Sequence, residues 1–521
     1  MMSFFNKGRR TFVQGLSTAS ALILAGGSSG LAAAAGSTTL SVAIPSNPST
    51  FDPINQTNHD AMVVNQLIFE NLIEIDGNGN RVPMLARALP NISPDGLTYT
   101  FDLRENVHFQ NGQAFTAEDV KYSYEYILDP VNKAYRRDIW TPIASITVEN
   151  PLRVKFVLKH PYRAFLDYMT KYMGIFPVGS REKYGADYFR HTPIGLGTGP
   201  AIFVESKTND YIELKRNPAY WKKDLPKWEK LVIKVVPEES ARLAFLMSNS
   251  VQIIAAPAGR DYAGMRGKVG IVGESKLARG SSFLLAGNNN KAPFDDPLFR
   301  AAVSNAIDRD TICNKVCLGV VEPSATPMPS STWWCNQEAN RSLSFNLEKA
   351  KALLQRSRYA KGAEFDLMFS AQSYILKAGD TALFIQSQLA QLGIKVNLKP
   401  AELVTVFSQV ALGNHQAALI AAVSPADPTF VSKALFVPTE PLAKATGYQN
   451  PALVKLIAES YTLEAREKLQ PVLYKIQDIL AKDAPVIWIG TLKNTNLWRS
   501  NVRGFEVNEA GTLRLLNTYL A

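Results

Sequence analysis

The sequence predicts an α/β fold spread over more than one domain, on three observations. Between Phe365 and Leu398 a strand, a helix and a strand follow one another: Phe365, Leu367 and Phe369 alternate, Ile385, Leu389 and Leu392 mark a helix stopped by Gly393, and Ile394, Val396 and Leu398 alternate again. That order favours parallel pairing within one sheet. Ala417 to Val423 is a continuous apolar run, the mark of a strand covered on both faces. At 521 residues the chain exceeds what one hydrophobic core supports, so two or three domains are expected.

Taken in order, Thr39 to Ala43 reads as a first strand, Pro45 to Pro53 as a loop and Met62 to Leu72 as a helix. The segment from Leu85 to Pro130 has the most explicit local grammar. Ser93-Pro94-Asp95-Gly96 is turn chemistry, and Leu97, Tyr99, Phe101 and Leu103 then share one face of a strand. Val107 and Phe109 start a second short strand, with Asn111-Gly112 as a tight turn. Thr116 caps a helix whose first turn, Ala117-Glu118-Asp119, is acidic, and Val120, Tyr124, Ile127 and Leu128 form its apolar stripe until Pro130. Further on, Val154 to Leu158, Tyr211 to Lys215, Leu231 to Val236 and Gln252 to Ile254 read as strands, Phe165 to Met173 and Glu239 to Met247 as helices. The glycine-rich PIGLGTGP, from Pro193 to Pro200, lacks the Lys-Ser/Thr pair that a phosphate loop needs.

Ser281 to Asn289 is an extended crossing into a new region, taken as a first hinge. Asp296 and Pro297 cap and open a helix through Ile307, and Asp308 restarts one that Gly319 ends. Trp333-Trp334 closes a Pro- and Ser-rich loop, and such a pair either stacks on a ligand or plugs an interface. Asn346 caps a helix from Leu347, Phe407 to Leu412 is helical, and Glu464 to Leu480 is a pair of helical segments divided at Pro471. Pro485 to Gly490 is a buried return strand and Gly504 to Leu516 closes the fold. Ser424-Pro425-Ala426-Asp427-Pro428 lies at the carboxyl end of the 417–423 run, where open α/β sheets bind ligands.

The formal net charge is +10, and leaving out Lys7, Arg9 and Arg10 brings it to +7. The remaining Lys and Arg are scattered, which argues against nucleic acid as a partner. Arg9-Arg10-Thr11-Phe12-Val13 resembles a twin-arginine export motif, followed by a short apolar region and an Ala33-x-Ala35 cleavage site with no cysteine for a lipid anchor. Five histidines, at 59, 108, 160, 191 and 415, are too widely spaced to pair as metal ligands, and no hydrolase motif occurs, so neither metal, cofactor nor catalytic residue is expected. Of three cysteines, Cys317 and Cys335 are matched as a disulfide in an oxidising compartment, with Cys313 a buried remainder.

Four strings, taken together, carry a resemblance: DGLTYTFDLRENVHFQNGQAFTAEDVKYSYEYILDP, GTGPAIFVESKTNDYIELKRNPAYW, PFDDPLFRAAVSNAIDRDTI and QLAQLGIKVNLKP. In this order they resemble the signature segments of the solute-binding proteins of bacterial ABC importers, family 5, the class of the oligopeptide, dipeptide and nickel binders. The resemblance implies a two-lobed, type II periplasmic-binding-protein-like fold with an extra subdomain on the first lobe. The expected boundaries are a signal peptide over 1–35, lobe I over 36–58, 176–280 and 485–521, its extra subdomain over 59–175, and lobe II over 281–484. It further implies a periplasmic monomer that captures a peptide or similar polar solute for ABC permease subunits. An exported hydrolase, or a sensor or chaperone on the same fold, is the alternative.

By position in the family pattern, Thr57, Asn58 and His59 line the ligand cleft, and Asn288 stands beside it. Trp333, Trp334, Ser424 and Asp427 complete the expected ligand-binding set. The peptide binders place an acid where this chain has Ser424, and the dipeptide binders an arginine near Gln372, whereas Ser370 to Asp380 holds only Lys377 as a cation. Losing one partner of a buried charge pair costs about 3–5 kcal/mol, so free dipeptides are expected to bind poorly compared with another polar solute such as a modified peptide, an opine, a sugar or a metal chelate.

Overall fold

A computed structural model describes residues 39–370, 377–422, 427–440, 442–463, 465–509 and 511–521. The expected signal segment, Gln372 and Ser424 lie outside these residues. Among them, eleven strands form one sheet: β1 (Thr39–Ile44), β2 (Ala201–Lys207), β3 (Tyr211–Arg216), β4 (Lys230–Val235), β5 (Ile253–Ala255), β6 (Ile271–Gly287), β7 (Val321–Pro323), β8 (Ala363–Ser370), β9 (Ile394–Ala401), β10 (Ala417–Ala422) and β11 (Ile487–Arg499). Their order is β9-β8-β10-β6-β11-β5-β1-β4-β3-β2, with β7 added to β11.

The sheet has two parallel cores. In one, β1 runs parallel to both β4 and β5, and in the other β8 runs parallel to both β9 and β10. The strand-helix-strand expectation for the second core holds: Phe365 pairs with Val396, and the connecting helix Ala378–Ala390 buries Ala382, Ile385 and Leu389. The apolar run of β10 is buried at Ala417, Ala418, Leu419 and Ile420, as the two-faced reading requires. Between the cores, β6 and β11 pair antiparallel along most of their length. The far end of β6, from Ser282 to Gly287, also pairs with β10, and the far end of β11 pairs with β5. Both crossing strands are therefore longer than the sequence indicated. The β6–β11 ladder breaks register between the Leu277 and Ser282 pairs.

One helix follows β1 directly. Asn58 caps α1 (His59–Ile68) by accepting from the Ala61 N–H at 3.1 Å. Gly197 and Gly199 let the following corner press on the end of this helix: a Cβ at Gly197 would stand 1.8 Å from the Ile68 carbonyl, and the Gly199 N–H donates to that same oxygen. PIGLGTGP is a packing corner for this reason. The small sheet Asn91–Ile92, Thr98–Asp102, Arg153–Leu158 and Ile143–Asn150 buries Tyr99, Phe101, Val154 and Phe156 against α2 (Ala117–Leu128) and α3 (Ala164–Met169). The cap of α2 closes through Asp119, whose carboxylate accepts from the Thr116 N–H at 2.8 Å and its hydroxyl at 3.1 Å. Three local expectations change. Val107 to Phe115 turns tightly at Asn111-Gly112 as expected, with Phe109 N–H donating to Gln113 O and Phe115 N–H to Val107 O, but the pairing stops at the single His108–Ala114 bridge and no strand extends from it. Phe165 to Met173 is helical only to Met169. Pro471 sits early inside one helix, Arg466–Asp483.

The expected disulfide is not formed: Cys313, Cys317 and Cys335 are all buried thiols. Cys317 packs in the apolar cluster of β6, β8 and the helix Ala378–Ala390, while Cys335 packs with Met328, Trp334, Leu469 and Leu473. Burial pushes the Cys317 thiol up to about 11. Ellman titration of the native protein should therefore find the thiols unreactive, and titration in guanidinium should find all three. A mass two hydrogens short of the thiol form would contradict this.

Glu70 is 2% exposed, accepting from Tyr220 Oη at 2.7 Å and Trp221 Nε1 at 2.9 Å, and burial raises its carboxyl to about 7. The folded state thus binds the proton more tightly than the unfolded chain, so this group's contribution is full at low pH and is lost as pH rises towards and through 7. Urea unfolding should show wild type losing stability between about pH 5 and pH 8, with a slope from this group of at most about 1.4 kcal/mol per pH unit, and Glu70→Gln losing less.

Candidate functional site

The parallel strands β1 and β5 end side by side, and their carboxyl ends open on a cavity of about 260 Å³. Open α/β sheets bind ligands at such ends. The floor comes from Ile44, Pro45 and Ser46 after β1 and from Ala255, Ala256 and Pro257 after β5. Asn58, His59, Asp60 and Val63 of the first turn of α1 form one wall, with Lys171 just beyond α3. The opposite wall is the paired strands β6 and β11: Ala278 and Ser281 where the β6 register breaks, and Leu492 to Asn496 of β11. Glu509, Gly511 and Leu513 close the rim. Interrupting a ladder frees the space beside it, so the broken register and the cavity coincide.

Buried polar contacts fix each wall. Arg242, fully buried, donates to the carbonyls of Val236, Pro237 and Ala256 at 2.8 Å each, holding the ends of β4 and β5 together. Asp60 accepts from the Ser46 N–H at 2.8 Å and the Ser46 hydroxyl at 2.5 Å, which ties β1 to α1. Burial raises the Asp60 carboxyl, against the opposing effects of His59 and those bonds. His59 Nε2 lies 2.9 Å from the Gly511 carbonyl. Gly511 has φ +74°, and a Cβ there would stand 2.8 Å from the imidazole, so the contact requires glycine. Enclosure by the walls and the charge of Lys171 both lower the His59 pKa. Asn494 Nδ2 donates to the carbonyls of Asn508 and Glu509, and the Glu509 carboxylate pairs with Arg279. Lys171 is 6% exposed, and burial, with Arg136 nearby, lowers its ammonium to about 8.

The structure brings two residues of the expected set to the cavity, Asn58 and His59. Thr57 precedes them, exposed, with its N–H on Ser49 Oγ. Asn288 lies elsewhere: its amide donates to Gly413 O at 2.9 Å and lines a shallow depression with Lys291, Lys444 and Tyr448. Trp333 and Trp334 stand edge to face at 6.1 Å against Leu469 and Leu473, outside the cavity lining, which is the interface-plug alternative. Asp427 is fully buried and taken up by Arg163 Nη2 at 2.8 Å and by the Thr429 N–H and hydroxyl. Its side chain joins two distant parts of the chain and does not face the cavity lining.

Sequence reasoning missed Lys171, Asn494 to Asn496 and Glu509. A signal existed for two of these sets. Lys171 is the lone cation in the apolar, aromatic run from Phe165 to Phe176, and Lys493 to Asn496 interrupts an otherwise apolar strand with polar residues on both faces. Among the described residues, no cluster of three His, Cys, Asp or Glu could hold a metal ion, and no helix is long and apolar enough to cross a membrane.

A family model described as bacterial extracellular solute-binding proteins, family 5 Middle, matches residues 80–440. The glutathione-binding protein GsiB of Salmonella typhi is 28% identical over 361 residues, 68% of each chain. The fold is shared with the ABC transporter-associated periplasmic binding protein DppA of Helicobacter pylori, in complex with the peptide STSA, at TM-score 0.77 and 24% identity over 92% of this chain and 98% of that one. It is shared equally with AgaA of A. tumefaciens R10, in complex with agropinic acid, at TM-score 0.77 and 24% identity over 93% and 99%. With the matched region covering most of its length, this chain belongs to the bacterial extracellular solute-binding proteins of family 5.

Proposed function

We propose that this protein is the capturing component of an ABC import system, exported to the periplasm through its Arg9-Arg10 signal, that encloses a polar small solute between two lobes and delivers it unchanged to the membrane permease. The observation that carries this reading is the cavity where β1 and β5 end against the broken β6–β11 ladder, in a chain whose family binds solutes outside the cell. Lobe I comprises 36–58, 176–280 and 485–521 with its subdomain over 59–175, and lobe II comprises 281–484. A ligand held by both lobes stabilises the closed form by its differential affinity for the two states. The names of the relatives, a glutathione-binding protein and a peptide complex, support a peptide or peptide-like solute.

A holding role fits these contacts: the Ser46 hydroxyl is taken up by Asp60 and the His59 ring nitrogen by the Gly511 carbonyl, which ties both side chains into the walls. Thermal-shift screening of peptides, glutathione, opines and metal chelates tests the reading. A solute at 100 times its dissociation constant adds about 2.7 kcal/mol, and mass spectrometry should recover it intact. Turnover of the bound compound, or no stabilisation by any solute, would overturn it.

Closure has its own handle. Arg163 of the subdomain, 6% exposed, joins Asp427 and Thr429 of the second lobe and donates its N–H to Tyr461 O at 2.7 Å. Although burial opposes ionisation, the Arg163 charge keeps the Asp427 carboxyl below its ordinary value. Removing one partner of a buried pair costs about 3–5 kcal/mol. Asp427→Asn should therefore enlarge the radius of gyration in solution scattering and weaken solute binding, whereas Arg153→Gln, which removes an exposed pair with Asp102, should change neither.

A further inference from the structure

Two acids and two lysines line the cavity, and they are not treated alike. Asp60 is satisfied by two bonds from Ser46, and Glu509 by Arg279. Lys493 reaches only a carbonyl, Gly319 O at 3.1 Å. Lys171, more than nine-tenths buried, has no hydrogen-bond acceptor and no carboxylate within ion-pair distance among the described residues. Its ammonium stands 5.8 Å from the Tyr172 ring, and the neighbouring Arg136 guanidinium, 4.0 Å over the same ring, adds positive charge instead of relieving it. His59, beside it, has its ring nitrogen on Gly511 O. The walls thus match their own negative charges internally and leave a positive pole unmatched.

We infer that the cavity selects a solute bearing a carboxylate, and that Lys171 is the residue that holds it. This deepens the importer reading above and rests on it. The Lys171 side chain is buried along its stem and reaches the cavity with no protein acceptor beside it, so a carboxylate arriving there forms a charge-assisted hydrogen bond in surroundings that screen it less than bulk water. Lys493, on the facing strand β11, adds to the same field from the hinge side. The flexible four-carbon stem of a lysine presents a compact point charge, suited to a single carboxylate more than to a planar bidentate grip.

The test uses the full-length mature protein. The solute it retains on purification from the periplasm is released by denaturation and identified by mass spectrometry. That solute, with glutathione, dialanine and succinate, is then titrated calorimetrically beside counterparts whose carboxylates are amides. Wild type should prefer the carboxylate form. Lys171→Met should bind it about 30-fold more weakly, the amide forms should bind wild type and Lys171→Met equally, and Lys171→Arg should fall between. The Met variant should keep or raise the melting temperature, since it removes a buried unmatched charge, and this separates lost recognition from lost folding. A retained solute with no anionic group, or a Lys171→Met affinity within about twofold of wild type for the carboxylate, overturns the inference and leaves the importer reading standing. Failure of wild type to bind any solute sinks the importer reading, and the inference with it.

Discussion

The pairing of β6 with β11 is the constraint on which everything else depends. These two strands are the seam between one parallel core built on β1 and another built on β8, and each reaches across to hydrogen-bond a strand of a core. Backbone amides buried at such a seam must be paired, so the two strands are held along most of their length. Where they fall out of register, side chains from both face the space in which β1 and β5 end. One irregularity in a hydrogen-bonded ladder therefore opens room beside the strand ends.

Around that seam, the buried cations act as clamps on backbone. Arg242 gathers carbonyls at the ends of β4 and β5, Arg309 donates to Ser304, Leu343 and Trp488 oxygens, and Arg300 to those of Phe294, Asp483 and Ala484. Arg181 grips Asp52 with both terminal nitrogens, at 2.8 and 2.7 Å, under the Phe189 ring. Planar guanidinium groups suit this, since several donors are satisfied at once. Against that background Lys171, buried on the cavity wall without a hydrogen-bond acceptor among the described residues, stands apart.

Much of the fold was legible because it is local. Phe365 to Leu398 announces strand, helix and strand by changing its apolar period from two to three or four and back, and no distant residue is needed to read it. The caps at Asp296 and Asn346 sit one residue before their helices, and each accepts the backbone bond its type promises. At Val107 to Phe115 the Asn111-Gly112 turn was legible, while how far the pairing runs beyond the single His108–Ala114 bridge was not.

The sequence by itself determined the α/β class, most elements, the family pattern and two cavity residues, Asn58 and His59. It did so because periodicity, capping and signature strings act over a few neighbouring residues. Only the tertiary structure decided that Cys317 and Cys335 pack in separate clusters, that Asp427 is spent on Arg163, and that Lys171 meets His59, Asn494 and Glu509 around one cavity. Those facts depend on which strand ends the long-range pairing brings side by side, and charge neutralisation inside a protein is settled by spatial neighbours hundreds of residues apart.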